Sequence, residues 1–322
     1  MKHKSLSPVA ALLCMLLTAM IWGFAFSAQK EAGDAIGSLS VTCLRSAIAA
    51  AALFFLILIF DRVRGDGRRL LSRRGVDITR TEWLGGVLCG LALATATLLQ
   101  QYGMQENGSA GKTAFITALY VALVPLFGIF LGKKTAPLVL CGVVGSVLGA
   151  FVLSFDLSGG ASFSFARGDL LCFLSAVMFA VHILMIDRFS PHTDGIRVSF
   201  VQFLTGAVLT LPLMLLFERG IVTADAMGRA LLPLLYLGVM SSGVAYTLQI
   251  VGQSRVHPVV ASTLLCTESI FGLLGGMLFF GETLSAREWV GCALLFVSVL
   301  LSQTGSFFHR PQPPKQEKEA DL

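Results

Sequence analysis

Residues 39–60 read LSVTCLRSAIAAAALFFLILIF, a run of 22 residues that contains one charged side chain, Arg45. As an α-helix this run is about 33 Å long, enough to cross a hydrocarbon core of about 30 Å. Nine further apolar runs have the same character and lie at 8–28, 84–103, 110–131, 136–155, 168–186, 198–217, 231–251, 257–280 and 289–305. The sequence therefore predicts ten membrane-spanning segments.

The composition of the 322 residues agrees with lipid as the main solvent of this chain. Hydrophobic residues make up 55% and charged residues 13%, where soluble domains have about 25% charged residues. Of the 43 charged side chains, 39 lie outside the ten runs. This composition excludes a nucleic-acid-binding domain, a secreted disulfide scaffold, a disordered chain and nearly every soluble enzyme fold.

The runs are expected to be helices. A backbone in hydrocarbon must satisfy its own N–H and C=O groups, and none of the runs shows the period-2 alternation of barrel strands. The first run is too long for the apolar core of a signal peptide, and no cleavage site follows it. The predicted fold class is an all-α integral membrane protein with ten transmembrane helices.

The positions of Lys and Arg predict the orientation. With a cytoplasmic N-terminus, 17 of these residues lie on the cytoplasmic side and six on the outside, as the positive-inside rule requires. We therefore expect a multi-pass protein of the cell (cytoplasmic) membrane with both termini in the cytoplasm. The arginine-rich loop 61–83 is interpreted as an anchor on anionic lipid, with regulation by a partner as the alternative, and the tail 306–322 as disordered.

The two halves of the chain resemble each other. A shift of 158 residues aligns Leu12-Leu13-Cys14 with Leu170-Leu171-Cys172, and a shift of 149 aligns Leu99-Gln100 with Leu248-Gln249. Five spans in each half, 1–155 and 156–305, are an odd number, so the second half lies inverted in the membrane. Inverted repeats are a recurrent transporter architecture with the substrate site at the repeat interface.

Several short motifs add a family resemblance. The first span contains AMIWGF at residues 19–24, the second contains Leu44-Arg45, and the fourth contains Pro125. The ninth contains ESIF at 268–271, followed by FGE at 280–282. Together these segments resemble the EamA-type transporters of the drug/metabolite transporter (DMT) superfamily, although Ser269 stands where the family pattern has proline. The resemblance implies ten helices, cytoplasmic termini and secondary transport, commonly export, of small metabolites or amino acids.

Three ionisable side chains within the spans are candidates for function. Glu268 lies about halfway along its span, where a carboxylate is costly and marks a functional hypothesis such as proton coupling; the alternative is a structural role at a helix irregularity. His182 is suited to handling protons or is a hydrogen-bonded core residue. Arg45 attracts an anionic substrate group, reaches the outer interface, or pairs with a carboxylate.

Neutral side chains complete the candidate site. Gln100 and Gln249 occupy equivalent positions in the two halves, and with Gln202 they either face a central cavity or bond between helices. The aromatic residues Trp22, Tyr120 and Tyr246 are candidates for the cavity wall, with packing as the alternative.

The predicted function is secondary active transport of a small neutral or zwitterionic metabolite, an amino acid or an amphipathic compound, with export as the direction and proton coupling through Glu268 as a hypothesis. No ATPase module, cofactor motif or metal-ligand spacing is present in the sequence, so no cofactor and no metal are expected. The expected partners are the small-molecule substrate and the lipid bilayer, with no nucleic acid; a homodimer stays an open alternative. Alternative functions are transport of a sugar phosphate or nucleotide sugar, or an intramembrane enzyme.

Overall fold

The computed structural model describes residues 7–64, 71–72, 75–107, 110–132, 135–154, 167–272, 274 and 285–308. Almost all of these residues are helical. The helices are α1 (Pro8–Ile36), α2 (Ser38–Arg64), α3 (Arg80–Asn107), α4 (Ala110–Ala118), α5 (Tyr120–Phe130), α6 (Pro137–Ser154), α7 (Arg167–Phe189), α8 (Gly195–Phe217), α9 (Ala224–Leu235), α10 (Tyr246–Gln253), α11 (Pro258–Leu265) and α12 (Ala286–Phe308).

Three smaller elements connect these helices. A π-helical segment, Tyr236–Ala245, makes α9 and α10 one continuous rod, and a 3₁₀ turn, Ser190–His192, follows α7. Between α2 and α3, β1 (Leu71–Ser72) pairs antiparallel with β2 (Gly75–Val76). The predicted disordered tail 306–322 lies outside the described residues beyond Phe308.

The described helices are those of a multi-pass membrane protein. Six of them, counting the rod 224–253 as one, are long and apolar enough to cross a bilayer, and four shorter apolar helices accompany them. Their outward faces carry large hydrophobic side chains, such as Phe130, Leu216 and Leu232, each more than 70% exposed. An apolar surface of this kind is stable in lipid but not in water.

Local sequence explains where the first two helices meet. The Ser7 hydroxyl accepts a hydrogen bond from the backbone N–H of Ala10, and Pro8 occupies the first helical turn, which is the usual chemistry of a helix start. The helix ends at Gly37, whose φ of +84° suits glycine, the residue without a Cβ. Because Gly37 turns the chain at once, α2 begins at the next residue.

Two helical segments are interrupted in their middle. Leu119 separates α4 from α5, and Cys266 and Thr267 separate α11 from the helical residues 268–272. The second interruption occurs without proline, since Ser269 occupies the position where the family pattern has it. A shift of 149 residues carries Leu119 onto Glu268, directly after the second interruption, so the two breaks lie at nearly equivalent positions of the two halves.

Hydrogen bonds and charges tie α2 to α8 at both ends. At one end, the Glu218 carboxylate accepts hydrogen bonds from the backbone N–H of Leu39 (3.0 Å) and from the backbone N–H and hydroxyl of Ser40 (2.6 and 2.7 Å). These contacts satisfy donors that the first turn of a helix otherwise leaves without a partner. The carboxylate also stands at the positive end of the α2 dipole.

At the opposite end of the same pair, Arg197 of α8 binds the end of α2. Its guanidinium donates to the Asp61 carboxylate at 2.8 Å, to Asp194 at 3.4 Å and to the backbone carbonyl of Asp77 at 3.3 Å. The Arg197 side chain is only 6% exposed, so paired carboxylates are needed to stabilise its charge. A buried charged residue at each end, Glu218 and Arg197, therefore fixes α2 and α8 in an antiparallel arrangement.

Small residues allow the other helices to approach closely. Gly103 of α3 lies against Cys172 of α7, and Gly145 of α6 lies against Ser298 of α12. A Cβ atom at either glycine would collide with the opposing side chain. These seams are of the small-residue type that brings membrane helices together.

Replacement of Glu218 by alanine is expected to lower the free energy of unfolding by about 1–3 kcal/mol, because it leaves buried donors of α2 without partners. The measurement is the thermal midpoint of the purified protein in detergent. Glu31→Ala, at an exposed position of α1, is the control and should leave the midpoint unchanged. Equal midpoints for both variants would show that Glu218 does not stabilise the end of α2.

Candidate functional site

A cavity lies between helices from both halves of the chain. Its accessible volume is about 30 Å³, which is room for a few water molecules. Twelve residues from both halves of the chain line it: Trp22, Ala25, Phe26, Gln29, Arg45, Gln100, Thr117, Tyr120, Phe179, Ser241, Tyr246 and Glu268. The lining therefore contains one cation, one carboxylate, neutral polar groups and five aromatic rings.

Glu268 reaches the cavity because a helix breaks directly before it. The residue is 4% exposed and follows the interruption at Cys266 and Thr267. Tyr120, directly after the interruption at Leu119, donates its hydroxyl hydrogen bond to Glu268 Oε1 at 3.4 Å. The two broken helices thus meet at the cavity through one tyrosine–carboxyl contact, and discontinuous helices of this kind mark binding sites in transporters.

The backbone of α1 packs closely against the segment that contains Glu268. A Cβ atom on Gly23 would lie 2.5 Å from the carbonyl oxygen of Glu268, 2.6 Å from Phe271 Cβ and 2.7 Å from the backbone N of Gly272. Only glycine allows this approach. Within the Trp22-Gly23 motif, Trp22 therefore lines the cavity, and Gly23 allows α1 to pack against the helical segment that contains Glu268.

Arg45 points inward and is 4% exposed. Its guanidinium donates hydrogen bonds to the hydroxyls of Ser242 (3.0 Å) and Ser241 (3.0 Å) and to the side-chain oxygen of Gln29 (3.2 Å). None of the ion pairs between described residues includes Arg45. Of the roles considered from the sequence, a position at the outer interface does not fit this burial.

Aromatic rings form one wall of the cavity. The rings of Trp22 and Tyr246 lie 4.5 Å apart, and the Trp22 indole N–H donates to the backbone carbonyl of Ser241 at 3.0 Å. On another side, the rings of Tyr120 and Phe179 are 6.4 Å apart. Rings held in this way present a rigid apolar surface next to the polar groups.

Six of the nine residues singled out from the sequence line this cavity: Trp22, Arg45, Gln100, Tyr120, Tyr246 and Glu268. The Gln100 side-chain amide donates a hydrogen bond to the hydroxyl of Thr117 at 3.3 Å. The side chain therefore links α3 to α4 and also lines the cavity.

The other three residues lie outside the lining. His182 Nε2 lies 3.2 Å from Gln202 Oε1, and the His182 ring packs edge-on against Tyr246 with centroids 5.8 Å apart. This pair forms a layer behind the aromatic wall. Gln249 is buried and its Oε1 has no hydrogen-bond partner among the described residues. The equivalence of Gln100 and Gln249 in sequence therefore does not place both in the cavity.

The sequence does not single out the other six lining residues: Ala25, Phe26, Gln29, Thr117, Phe179 and Ser241. The predicted first span ends at residue 28, whereas α1 continues to Ile36 and so includes Gln29. The helical spacing was an available signal, because Phe26 and Gln29 follow Trp22 by four and seven residues and so share its face. In the described part of the chain, no group of three or more His, Cys, Asp or Glu residues is arranged to hold a metal ion.

A helical membrane fold with broken helices around a polar cavity is typical of membrane transporters. The sequence profile of the EamA-like transporter family matches residues 9–155 and 166–304. The chain therefore belongs to the EamA-like transporter family.

Individual relatives agree with this assignment. An uncharacterized transporter of Archaeoglobus fulgidus is 26% identical over 90% of this chain and 84% of its own length. A probable terminal-alkyne amino-acid exporter of Streptantibioticus cattleyicolor is 22% identical over 90% of this chain and 92% of its own length. One solved crystal structure aligns with a TM-score of 0.74 and 20% identity over 92% of this chain and 98% of that chain, a likeness of fold.

Gly23→Ala is expected to destabilise the protein by about 1–3 kcal/mol through overpacking, because the methyl group displaces the Glu268 segment. Gly228→Ala is the matched control, since a Cβ atom there meets nothing within 4 Å and alanine favours the helix. Thermal midpoints in detergent compare the two variants. A Gly23→Ala protein as stable as the wild type would show that this close approach is not required.

Proposed function

We propose that this protein is a secondary active transporter that exports a small neutral or zwitterionic metabolite by alternating access. The observation that carries the proposal is the central cavity, which combines one buried cation, one buried carboxylate and aromatic walls at the meeting point of two broken helices. Export as the direction is supported by the relative named as a probable amino-acid exporter.

Ten spans in two inverted repeats are the proposed architecture. The family profile matches the chain twice, over 9–155 and 166–304, which correspond to the proposed repeats. Helix packing has the same symmetry: α3 packs on α7 as α1 packs on the rod 224–253, and α2 pairs with α8 as α6 pairs with α12. If the two halves of the chain are exchanged, each of these helix pairs becomes another pair of the set or stays the same pair. This symmetry supports two related conformations, one open to each side of the membrane.

The charge of the cavity supports the proposed substrate class. Arg45 is the cation among the lining residues, and Glu268 faces the same space. Phosphate recognition usually relies on several cationic or backbone donors, and a dianion would be repelled by Glu268. A neutral or zwitterionic molecule matches a cavity with one charge of each sign, and the rings of Trp22 and Tyr246 favour an apolar part in that molecule.

Glu268 is proposed as the coupling group. Its carboxyl is buried and lies about halfway along the predicted span 257–280, where a proton is the simplest means of neutralising the charge. The hydroxyl of Tyr120 contacts the carboxyl directly, so protonation of Glu268 changes a contact between the two broken helices. Proton binding and helix arrangement are thereby linked at a single atom pair.

Both termini are proposed to lie in the cytoplasm, since 17 Lys and Arg residues then fall on the cytoplasmic side and six outside. Two full-length fusions at the C-terminus test this orientation in a bacterial host. A green fluorescent protein fusion should fluoresce, and an alkaline phosphatase fusion should be inactive. An active phosphatase fusion would contradict the proposed topology.

Glu268→Gln is expected to reduce export on the order of tenfold or more and to abolish its dependence on pH between about pH 5.5 and 8, because an amide cannot carry the proton. The measurement is an untargeted comparison of metabolites released by cells that overexpress each variant. Glu31→Gln makes the same change at an exposed position and should behave as the wild type. Wild-type release by Glu268→Gln at every pH would remove the coupling role.

A further inference from the structure

We propose that four buried polar side chains on the cytoplasmic side of the aromatic wall form a second substrate-binding site, which binds a hydroxyl or amide group of the substrate. The four residues are His182, Gln202, Gln249 and Gln253, and we name them the inner polar cluster. Because a second site of this kind requires a substrate that crosses the membrane, the proposal rests on the proposed transport function.

Three helices bring the inner polar cluster together. His182 of α7 and Gln202 of α8 meet with 3.2 Å between Nε2 and Oε1. From α10, the Gln253 side-chain amide donates a hydrogen bond to the backbone carbonyl of Ile183 at 3.1 Å. Gln249 precedes Gln253 by one helical turn, so it lies on the same face of α10, the face that packs against α7.

Every member of the cluster has one polar atom without a hydrogen-bond partner among the described residues. These atoms are His182 Nδ1, Gln202 Nε2, Gln249 Oε1 and Gln253 Oε1, and none of the four residues is more than 2% exposed. Buried polar atoms almost always have a partner, either in the protein or in a bound molecule. Four such atoms in one cluster therefore indicate that a polar group from outside the chain binds here.

The chemistry of these atoms selects a neutral ligand group. His182 Nε2 faces an amide oxygen and therefore carries the ring hydrogen, which leaves Nδ1 as an acceptor. The two free oxygens of Gln249 and Gln253 are also acceptors, whereas the amide nitrogen of Gln202 is a donor. An ammonium group cannot accept a hydrogen bond and a carboxylate cannot donate one. A hydroxyl or an amide does both, and it needs no counter-charge in the cluster.

Tyr246 separates the inner polar cluster from the cavity. Its ring lines the cavity next to Trp22, and it also contacts the rings of His182 and Phe203, with centroids 5.8 and 5.5 Å away. His182 lies seven residues before the end of α7, and Gln202 lies seven residues after the start of α8. Both positions are on the side of the connection 190–194, which is cytoplasmic in the proposed topology.

Two members of the cluster occupy the same repeat positions as two cavity residues. Gln249 corresponds to Gln100 at a shift of 149 residues. Gln202 follows the first residue of α8 by seven, just as Arg45 follows the first residue of α2 by seven. Gln100 and Arg45 line the cavity, and equivalent positions of inverted repeats lie on opposite sides of the shared site. We therefore interpret the inner polar cluster as the cytoplasmic counterpart of the polar cavity wall, closed in this conformation.

Gln249→Met tests the site, because methionine keeps the unbranched shape of the side chain and removes the amide. The thermal midpoint in detergent should rise by about 2 °C or more, since a buried polar atom without a partner is lost. Metabolite release from cells, normalised to the amount of protein in the membrane, should fall roughly tenfold, as expected for one lost hydrogen bond to the substrate. Gln105→Met is the matched control. Both amide atoms of Gln105 are bonded within the protein, to Ser38 and Gly33, so its midpoint should fall.

A labelling experiment tests whether the cluster opens to the cytoplasm, and it also decides the proposal if Gln249→Met does not fold. Gln249→Cys in inside-out vesicles is treated with a membrane-impermeant methanethiosulfonate reagent, and mass spectrometry separates its peptide from those of the seven native cysteines. The reaction should be at least about tenfold faster than that of Ile250→Cys, because only the cluster opens in the minor conformation. Ile250 is the matched control, since it is equally buried and packs in an apolar cluster with Cys89, Ile186 and Val198.

The outcomes separate the second site from the transport function. A midpoint of Gln249→Met at or below that of the wild type would show a structural cluster held by water, and unchanged release would show that the substrate does not use it. Equal labelling of Gln249→Cys and Ile250→Cys, or release of a metabolite without a hydroxyl or amide group, would also overturn the site while the transport function stands. A failure of the transport function itself would appear as identical metabolite release from cells with and without the protein.

Discussion

Hydrocarbon offers no hydrogen bond to a peptide group, and this constraint shapes every part of the molecule. A backbone in lipid must be helical or protected by other protein groups. The outward faces of the bundle accordingly carry apolar side chains on helical backbone, such as Phe130, Leu216 and Leu232. Irregular backbone in the described residues, at Leu119, at Cys266 and in the segment Tyr236–Ala245, is found where helices surround the central cavity.

The buried charged residues fall into two groups that differ in their position and in their partners. Glu218 and Arg197 lie at the two ends of the α2–α8 pair, and each is satisfied by groups of the protein. These contacts hold two helices in a fixed relation. Arg45 and Glu268 lie in the interior, on the wall of the cavity, with neutral hydrogen-bond partners. Charges of the first kind stabilise the fold, and we interpret those of the second kind as binding and coupling groups.

The site depends on close backbone approaches as much as on polar side chains. Gly23 lets α1 reach the segment that carries Glu268, and Gly238 lets the π-helical segment reach α2 near Arg45. Each glycine lies beside a segment that brings one buried charged side chain to the cavity, Glu268 from the second half of the chain and Arg45 from the first. Small residues at such seams allow membrane helices to pack closely.

Much of this protein can be predicted from its sequence. Long apolar runs identify the helical membrane segments, because length and hydropathy alone decide what lipid accepts. A carboxylate at position 268 stands out for the same reason, and the motifs around Trp22 and Glu268 indicate the family that the comparisons show. The interruption at Cys266 and Thr267 has no proline to indicate it in the sequence, since Ser269 stands where the family pattern has proline.

The orientation of individual side chains was decided by the tertiary structure. In water, the buried face of a helix is apolar and the outer face polar, so sequence alone reports orientation. In lipid both faces are apolar, and this signal is weak. Gln100 and Gln249 therefore read alike in the sequence, although Gln100 lines the cavity and Gln249 does not. Packing between distant segments of the chain turns Arg45 inward onto Gln29 and Ser241. It also brings Tyr120 into contact with Glu268, and no local sequence pattern encodes either contact.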